Sequence, residues 1–360
     1  MRIMKTNMWM IGFVVLLGVL MLAGCRTIGP STIEGARFDY SEAISSSWKN
    51  QMLLNIVKLR YNDAPVFLEV SSIINQYSLE TELQGGLSWN AFQPTDSQNV
   101  SARSRYADRP TITYSPMTGE KFTRSLLTPL PPASILALAQ GGWPVDRILQ
   151  VCVQSINGID NHAGHASFAR QADADFYRLL SRLKHIQKNG GVGIRLEKKD
   201  TNVDTIMFFE PDSEGVQGDL AALKQLLNLQ SGSEDFKLVY GRLPKSPDEL
   251  AILSRSLMEI LLELGSYIEV PPKDLDAGCV LPALPWTIEN ELGVLPLIQI
   301  HSSEEKPKGA YLAVSYRDSW FWIDDHDPRS KAMLTFMMIL FSLAETGGPV
   351  QAPLVTIPAG

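Results

Sequence analysis

Apolar residues recur every three or four positions in several segments of the chain, which is the pattern of amphipathic helices. This spacing predicts a helix over residues 40–61. A capping-box pattern at Ser246-Pro247-Asp248-Glu249, with proline at the first helical position, predicts the start of another helix that continues to Leu264. Further helices are predicted over residues 132–140, 144–156, 176–186, 218–229 and 328–345.

Alternation of apolar and polar residues predicts strands between these helices. Residues 77–83 alternate in this way, and Gly85-Gly86 marks the predicted end of the strand. Residues 90–110 are polar and poor in large aliphatic side chains, so we expect a long surface loop. Other strands are predicted over residues 193–197, 204–209, 236–240, 295–300, 310–316, 320–324 and 353–358. Because helices and strands are interspersed, the sequence predicts a mixed α/β or α+β fold.

A chain of 360 residues is long enough for two compact domains. A turn-forming segment at 158–167 is the predicted linker, which places an N-terminal α+β domain at 38–157 and a C-terminal α/β domain at 168–360. The linker contains His162 and His165, two imidazoles three positions apart. We expect them to lie in a solvated loop, because the glutamate of the helical zinc-protease motif is missing.

The N-terminal segment has the organisation of a signal peptide. Arg2 and Lys5 precede an apolar run over residues 8–23, and Glu34 is the first acidic residue. The run is shorter than the ~20 apolar residues that a membrane-spanning helix needs, and small residues end it. The sequence therefore predicts a cleaved signal peptide at 1–24.

The end of that run, Leu22-Ala23-Gly24-Cys25, resembles the lipobox of bacterial lipoprotein precursors. The resemblance implies cleavage before Cys25, a diacylglyceryl thioether on its sulfur, and acylation of the new amine by a fatty acid such as palmitate. Each buried methylene contributes about 0.8 kcal/mol, so several chains would hold the protein at a membrane. An ordinary signal peptide with a coincidental cysteine, or an uncleaved helix, is the alternative.

The residue after the lipobox and the net charge refine this interpretation. Arg26 differs from the aspartate that typically retains such lipoproteins in the inner membrane, so the resemblance implies the periplasmic face of the outer membrane. Residues 25–37 are expected to form a lipidated tether. Removal of residues 1–24 leaves 30 basic against 39 acidic side chains, which excludes a general nucleic-acid binder. The expected partners are the membrane, through the lipid, and other envelope proteins.

Aromatic residues crowd the hairpin predicted at 310–324. Tyr316, Trp320 and Trp322 would bind a sugar or a partner protein if they shared an exposed face of that hairpin. Strand alternation predicts that about half of such residues belong to the core instead.

Asp324, Asp325 and His326 form the densest cluster of metal-ligand side chains. Adjacent residues of a strand point to opposite faces, and Asp327 is better placed to cap the next helix. We therefore predict no metal site and no cofactor besides the covalent lipid. Neither Gly-x-Ser-x-Gly nor the phosphate loop Gly-x-x-x-x-Gly-Lys-Ser/Thr occurs, and Ser-x-x-Lys at Ser46 and Ser181 lacks the companion motifs of penicillin-binding enzymes, so no catalytic residue is predicted.

Cys152 and Cys279 remain when Cys25 is assigned to the lipid. In an oxidising envelope they could form a disulfide between the two halves of the chain. Two separately buried thiols are the alternative, because cysteine is a frequent core residue.

Three functions are compatible with these features. The first is an envelope lipoprotein that works as a periplasmic binding or assembly module without catalysing a reaction. The second is an envelope hydrolase that acts on glycan, peptide or lipid through carboxylates dispersed in the sequence. The third is a small-ligand receptor with a cleft between its two domains.

Overall fold

The computed structural model describes residues 30–74, 77–88, 97–108, 111–164, 169–199, 202–210 and 215–344. The predicted signal peptide at 1–24, Cys25, His165 and the strand predicted at 353–358 lie outside these residues. The chain divides into two compact units, Met1–Trp48 and Lys49–Gly360. This division differs from the predicted boundary at 158–167.

Helices account for much of the described chain. The helix α1 (Pro30–Arg60) ends where predicted but begins well before residue 40, so most of the segment predicted as a tether is helical. Proline suits the first helical position, because the amide that it lacks would have no partner there. The other helices are α2 (Gly119–Phe122), which continues into a π-helical turn (Thr123–Leu127), α3 (Pro132–Gln140), α4 (Val145–Cys152), α5 (Ala174–Lys188), α6 (Gln217–Leu226), α7 (Leu257–Gly265), α8 (Pro272–Asp276), α9 (Thr287–Glu291) and α10 (Pro328–Ala344).

The second unit contains a six-stranded sheet. Its strands are β5 (Val153–Ile156), β6 (Ile159–Asp160), β7 (Val192–Lys199), β8 (Asn202–Phe209), β9 (Asp235–Tyr240) and β10 (Glu249–Ser254). Their order in the sheet is β6-β5-β10-β9-β8-β7, in which the pair β9–β10 is parallel and the other pairs are antiparallel. The mixed α/β class is therefore confirmed.

The strand pairing of this sheet does not follow the domain boundary predicted at 158–167. β5, just before it, pairs with β10, which lies in the predicted C-terminal domain. Asn157 and Gly158 have positive φ angles of 45° and 84° and form the two-residue turn between β5 and β6. Asn161 is buried, and its side-chain Nδ2 donates to the backbone oxygens of Gln150 at 2.9 Å and Val153 at 2.7 Å.

Residues 249–254 form β10 rather than the start of the helix predicted at 250–264. A short apolar run is compatible with either a buried strand or a helix, and here the strands on both sides supply backbone partners. The helix α7 begins later, with Ser256 as its N-cap and Glu259 completing the capping box. The capping box predicted at residues 246–249 is therefore formed later in the chain, by Ser256 and Glu259.

A three-stranded antiparallel sheet has the order β11-β13-β12. It comprises β11 (His301–Ser303), β12 (Ala310–Tyr316) and β13 (Ser319–Asp324), so the predicted hairpin is confirmed. The strand predicted at 295–300 is not formed, although Ile300 makes an isolated bridge to Ile268.

Two antiparallel pairs lie nearer the N-terminus, β1 (Leu68–Ile74) with β4 (Thr111–Pro116) and β2 (Tyr77–Ser88) with β3 (Ser97–Asp108). The expected loop at 90–110 is thus a strand over Ser97–Asp108. The register runs from Tyr77 opposite Asp108 to Ser88 opposite Ser97, so the backbone of β2 supplies partners along the whole of a polar strand.

Apolar side chains from the six-stranded sheet, the three-stranded sheet and the helices pack into one buried cluster, whose largest fully buried side chains are Phe176, Phe236 and Phe321. The helix α10 forms where the sequence predicts a helix over residues 328–345, and it contributes several buried residues to this cluster. Among the described helices, none combines the length and the apolar character needed to cross a bilayer.

Candidate functional site

A buried ionic cluster lies between α7 and the segment that follows β6. Glu263, Arg255 and His162 are only 4%, 3% and 2% exposed. His162 Nδ1 donates to Glu263 Oε1 at 2.7 Å, and Arg255 Nη2 lies 3.7 Å from Glu263 Oε2. The backbone amide of Gly164 also donates to Oε2 at 2.7 Å. Both oxygens of this carboxylate therefore have donors, which offsets the cost of burying its charge.

Position 164 accepts only glycine in this arrangement. A Cβ atom there would lie 2.2 Å from Ser266 Cβ. The close approach of the backbone brings the Gly164 amide to the carboxylate of Glu263.

The pKa of Glu263 is lowered by its surroundings. Burial acts in the opposite direction, but the positive charge of Arg255 and the hydrogen bonds from His162 and Gly164 outweigh it. The side chain is therefore an ionised carboxylate at neutral pH.

Arg255 also closes the C-terminal end of α4. Its Nη1 donates to the backbone oxygens of Gln150 at 3.2 Å and Val151 at 3.0 Å, and its own amide donates to Cys152 O at 2.7 Å. Its Nη2 donates to the backbone oxygen of His162. Arg255 thus satisfies carbonyl groups that the end of a helix leaves free.

Aromatic stacking connects the ionic cluster to a surface cleft. The ring of His162 stacks on Trp286 with the centroids 3.9 Å apart, and the ring of Tyr267 stacks on the same indole at 4.4 Å. Trp286 precedes α9, and both Trp286 and Tyr267 line the cleft. A change in the buried cluster would therefore reach the wall of the cleft through His162.

The cleft has a volume of about 330 Å³, within the range of sites for small ligands. Ile268, Val294 and Ile298 give it apolar surface. Besides the hydroxyl side chains of Ser266 and Tyr267, its polar lining has carboxamide and carboxylate side chains, namely those of Gln150, Glu269, Glu289, Asn290 and Gln299.

Glu289 of α9 is the polar group that sets this cleft apart. Glu289 is 2% exposed, and its Oε1 accepts a hydrogen bond from the hydroxyl of Tyr177 at 2.7 Å. Its Oε2 is buried and has no hydrogen-bond partner within the described residues. Burial and the hydrogen bond to Glu289 raise the pKa of Tyr177, so the phenol remains a protonated donor.

The chemistry of the cleft favours a ligand that donates hydrogen bonds. An unpartnered carboxylate oxygen accepts from a hydroxyl or an ammonium group, and charge-assisted bonds of this kind are short and strong. Within the described part of the chain, no three His, Cys, Asp or Glu side chains are grouped so as to hold a metal ion.

The structure separates the three aromatic residues predicted to share a binding face. Trp320 and Trp322 lie on one face of β13 and are each partly exposed, with the Trp322 ring centroid 4.7 Å from that of His301. The register of β12 and β13 puts Tyr316 on the opposite face, where its ring lies 5.3 Å from that of Tyr61. Tyr316 therefore cannot belong to the same surface as the two tryptophans.

The acidic cluster that follows β13 does not converge on one point. Asp324 Oδ1 accepts from the backbone amide of His326 at 2.8 Å, while Asp325 pairs with Lys331 at 2.7 Å. Asp327 accepts from two backbone amides at 3.0 and 3.2 Å, which confirms its predicted role as the cap of α10.

Cys152 and Cys279 are free thiols, so the structure contains separate cysteines rather than the disulfide considered above. Burial raises the pKa of Cys152 to about 12, which keeps this thiol protonated and unreactive. The partly exposed Cys279 accepts a hydrogen bond from Arg317 Nη2 at 3.3 Å.

Sequence reasoning missed both glutamates of the site. Glu263 interrupts an apolar helix between Ile260 and Leu264, and a lone charge in such a stripe signals a buried, paired group. The loop of His162 is predicted to be solvated, but the histidine is buried because its partner Glu263, 101 positions away, meets it in the fold. Glu289 lies in the short polar helix α9 and has no comparable signal.

No protein-family model, curated protein or solved structure matches this chain.

Proposed function

We propose that this protein is a lipid-anchored lipoprotein of the bacterial envelope that acts as a periplasmic binding or assembly module. The lipobox-like sequence Leu22-Ala23-Gly24-Cys25 supports the anchor. The cleft beside Trp286 supports the binding role. In this proposal Cys25 carries the lipid, and the acidic body of the protein faces the periplasm from the outer membrane.

The buried, unpartnered oxygen of Glu289 carries the binding proposal. Leaving such an acceptor without a donor costs about 1–3 kcal/mol, which a ligand with a hydroxyl or amino group would recover. The cleft is lined entirely by residues of the unit Lys49–Gly360, so this receptor would not need a cleft between two domains.

Replacement of the lipobox cysteine tests the anchor. Metabolic labelling with palmitate should mark the wild type and the Cys279→Ala control, and both should fractionate with the membrane. Cys25→Ala should carry no label and should leave the membrane fraction. Membrane retention of unlabelled Cys25→Ala would refute the lipid anchor.

Native mass spectrometry of the full chain, purified from its own membrane in mild detergent, tests the cleft. The wild type should carry a small-molecule adduct, and Glu289→Gln and the cleft-filling Ala283→Trp should lose it. Glu291→Gln is the matched control, because Glu291 lies on the same short helix but does not line the cleft. A wild type without an adduct, or an adduct retained by Glu289→Gln, would contradict the proposal.

An envelope hydrolase is the second candidate, because Glu269 and Glu289 line the same cleft. Glycoside hydrolases use pairs of carboxylates in this way. Glu269 is exposed and lies 3.0 Å from His301 Nδ1, whereas Glu289 is buried. Turnover of an envelope glycan that both Glu269→Gln and Glu289→Gln abolish would favour the hydrolase, and binding without turnover would favour the module.

A further inference from the structure

A second cavity, separate from the cleft of Glu289, lies between α4 and α10. It has a volume of about 140 Å³ and is walled by Trp143, Ile148, Met333 and Phe336. The rings of Trp143 and Phe336 are in contact, with their centroids 5.0 Å apart. An apolar cavity of ~150 Å³ is large enough to bind benzene.

Two arginines line this apolar cavity. Arg147 and Arg329 are both partly buried, and neither guanidinium forms an ion pair or a hydrogen bond with a described residue. Burial lowers the pKa of Arg147, and the nearby positive charge of Arg329 lowers it further. The adjacent carboxylate of Asp146 binds Lys184 through Oδ2 at 2.7 Å, and its negative charge partly opposes the lowering of the Arg147 pKa without forming an ion pair with that guanidinium. Two like charges therefore belong to the lining residues of this cavity, and no described carboxylate forms an ion pair with either of them.

This arrangement is complementary to one kind of ligand. Guanidinium groups bind carboxylates through paired hydrogen bonds, and two of them beside an apolar wall favour an anion joined to an apolar body. We propose that this cavity binds a carboxylate that carries a ring-sized apolar group. The ligand differs from that of the Glu289 cleft, which favours a hydrogen-bond donor, so the two proposals stand independently.

Titration of the purified full chain with three probes tests the inference. Benzoate should bind with a Kd of about 1 mM or tighter. Benzamide, which lacks the charge, and acetate, which lacks the ring, should each bind about tenfold more weakly or worse. Equal affinity for benzoate and benzamide would show that the arginines do not recognise an anion, and equal affinity for benzoate and acetate would show that the cavity does not contribute.

Substitution of the arginines assigns the binding to this cavity. Arg147→Gln and Arg329→Gln should each weaken benzoate binding about tenfold, because each removes one charged donor. Both variants should melt at or above the temperature of the wild type, since the repulsion between the guanidiniums is relieved. Arg178→Gln is the control, because Arg178 pairs with Asp175 on the exposed surface of α5.

Three results would overturn the proposal. They are a wild type that does not bind benzoate, an Arg329→Gln variant that binds it as well as the wild type, and an Arg178→Gln control that loses it equally. Arg329 lies on a different helix from Arg147, in the first turn of α10, so its substitution tests the proposal independently of Arg147→Gln.

Discussion

Two buried glutamates of this protein lie in environments that differ in one respect. Glu263 is 4% exposed and Glu289 is 2% exposed, so both carboxylates have lost nearly all contact with water. Glu263 receives donors on both oxygens, from His162, Gly164 and the nearby Arg255. Glu289 receives only the hydroxyl of Tyr177 among the described residues.

Under the proposed function, this difference separates a structural carboxylate, Glu263, from one that a ligand of the cleft would bind, Glu289. A buried group with all its partners stabilises one arrangement of the chain and has no capacity left for another molecule. A buried group with a free acceptor atom next to a cleft keeps that capacity and lowers the stability of the unliganded protein. The exposed fractions of the two residues are nearly equal, so burial alone would not distinguish Glu263 from Glu289.

The largest expected effect comes from removing the charge of Glu263. Glu263→Gln leaves Arg255 buried without its counter-ion, and breaking such a pair typically costs 3–5 kcal/mol, so we expect a loss of about 3 kcal/mol or more. Urea unfolding followed by circular dichroism measures it. Glu259→Gln, which changes an exposed glutamate on the same helix, should cost about 1 kcal/mol or less. Similar losses in the two variants would show that the ionic cluster is not structural.

The acid dependence of stability should also follow Glu263. Because folding lowers its pKa below the ordinary value of 4.5, its contribution is complete above that pH and is lost as the pH falls through the folded-state pKa. The difference in unfolding free energy between the wild type and Glu263→Gln should therefore be constant near neutrality and shrink below about pH 4.5. A difference that grows on acidification would contradict the lowered pKa.

A smaller loss is expected when Glu289 is deprived of its one donor. Tyr177→Phe leaves both oxygens of the buried carboxylate without a partner, which should cost about 1–3 kcal/mol. Tyr311→Phe is the matched control, because the Tyr311 hydroxyl makes no hydrogen bond to a described residue, and it should change stability by less than about 0.5 kcal/mol. Equal effects of the two substitutions would show that the Tyr177–Glu289 hydrogen bond does not contribute to stability.

Elements that depend on local spacing could be predicted from the sequence. The helix α10 and the hairpin of β12 and β13 follow directly from apolar periodicity and turn residues. The strand β10 could not be predicted in this way, because its conformation depends on β5 and β9, which are distant in sequence. The polar sequence of β3 has no apolar alternation that would predict a strand, and the strand conformation depends on backbone pairing with β2.

The candidate site could not be predicted from the sequence for the same physical reason. His162 and Glu263 are 101 positions apart, and Tyr177 and Glu289 are 112 apart, so no local pattern places them together. The aromatic hairpin predicted as a binding face has strong local signals, yet strand alternation divides its residues between two faces. Hydrogen-bond satisfaction, which identifies Glu289, exists only in the folded chain.

The most direct test of the account is the unfolding free energy of Glu289→Gln in protein freed of small molecules. An uncharged amide costs less to bury than a carboxylate with a free oxygen, and the substituted side chain would retain an oxygen for Tyr177, so we expect a gain of about 1 kcal/mol. The Glu291→Gln control should stay within about 0.5 kcal/mol of the wild type. A loss comparable to that of Glu263→Gln would contradict the account, because it would show that Glu289 is a structural carboxylate.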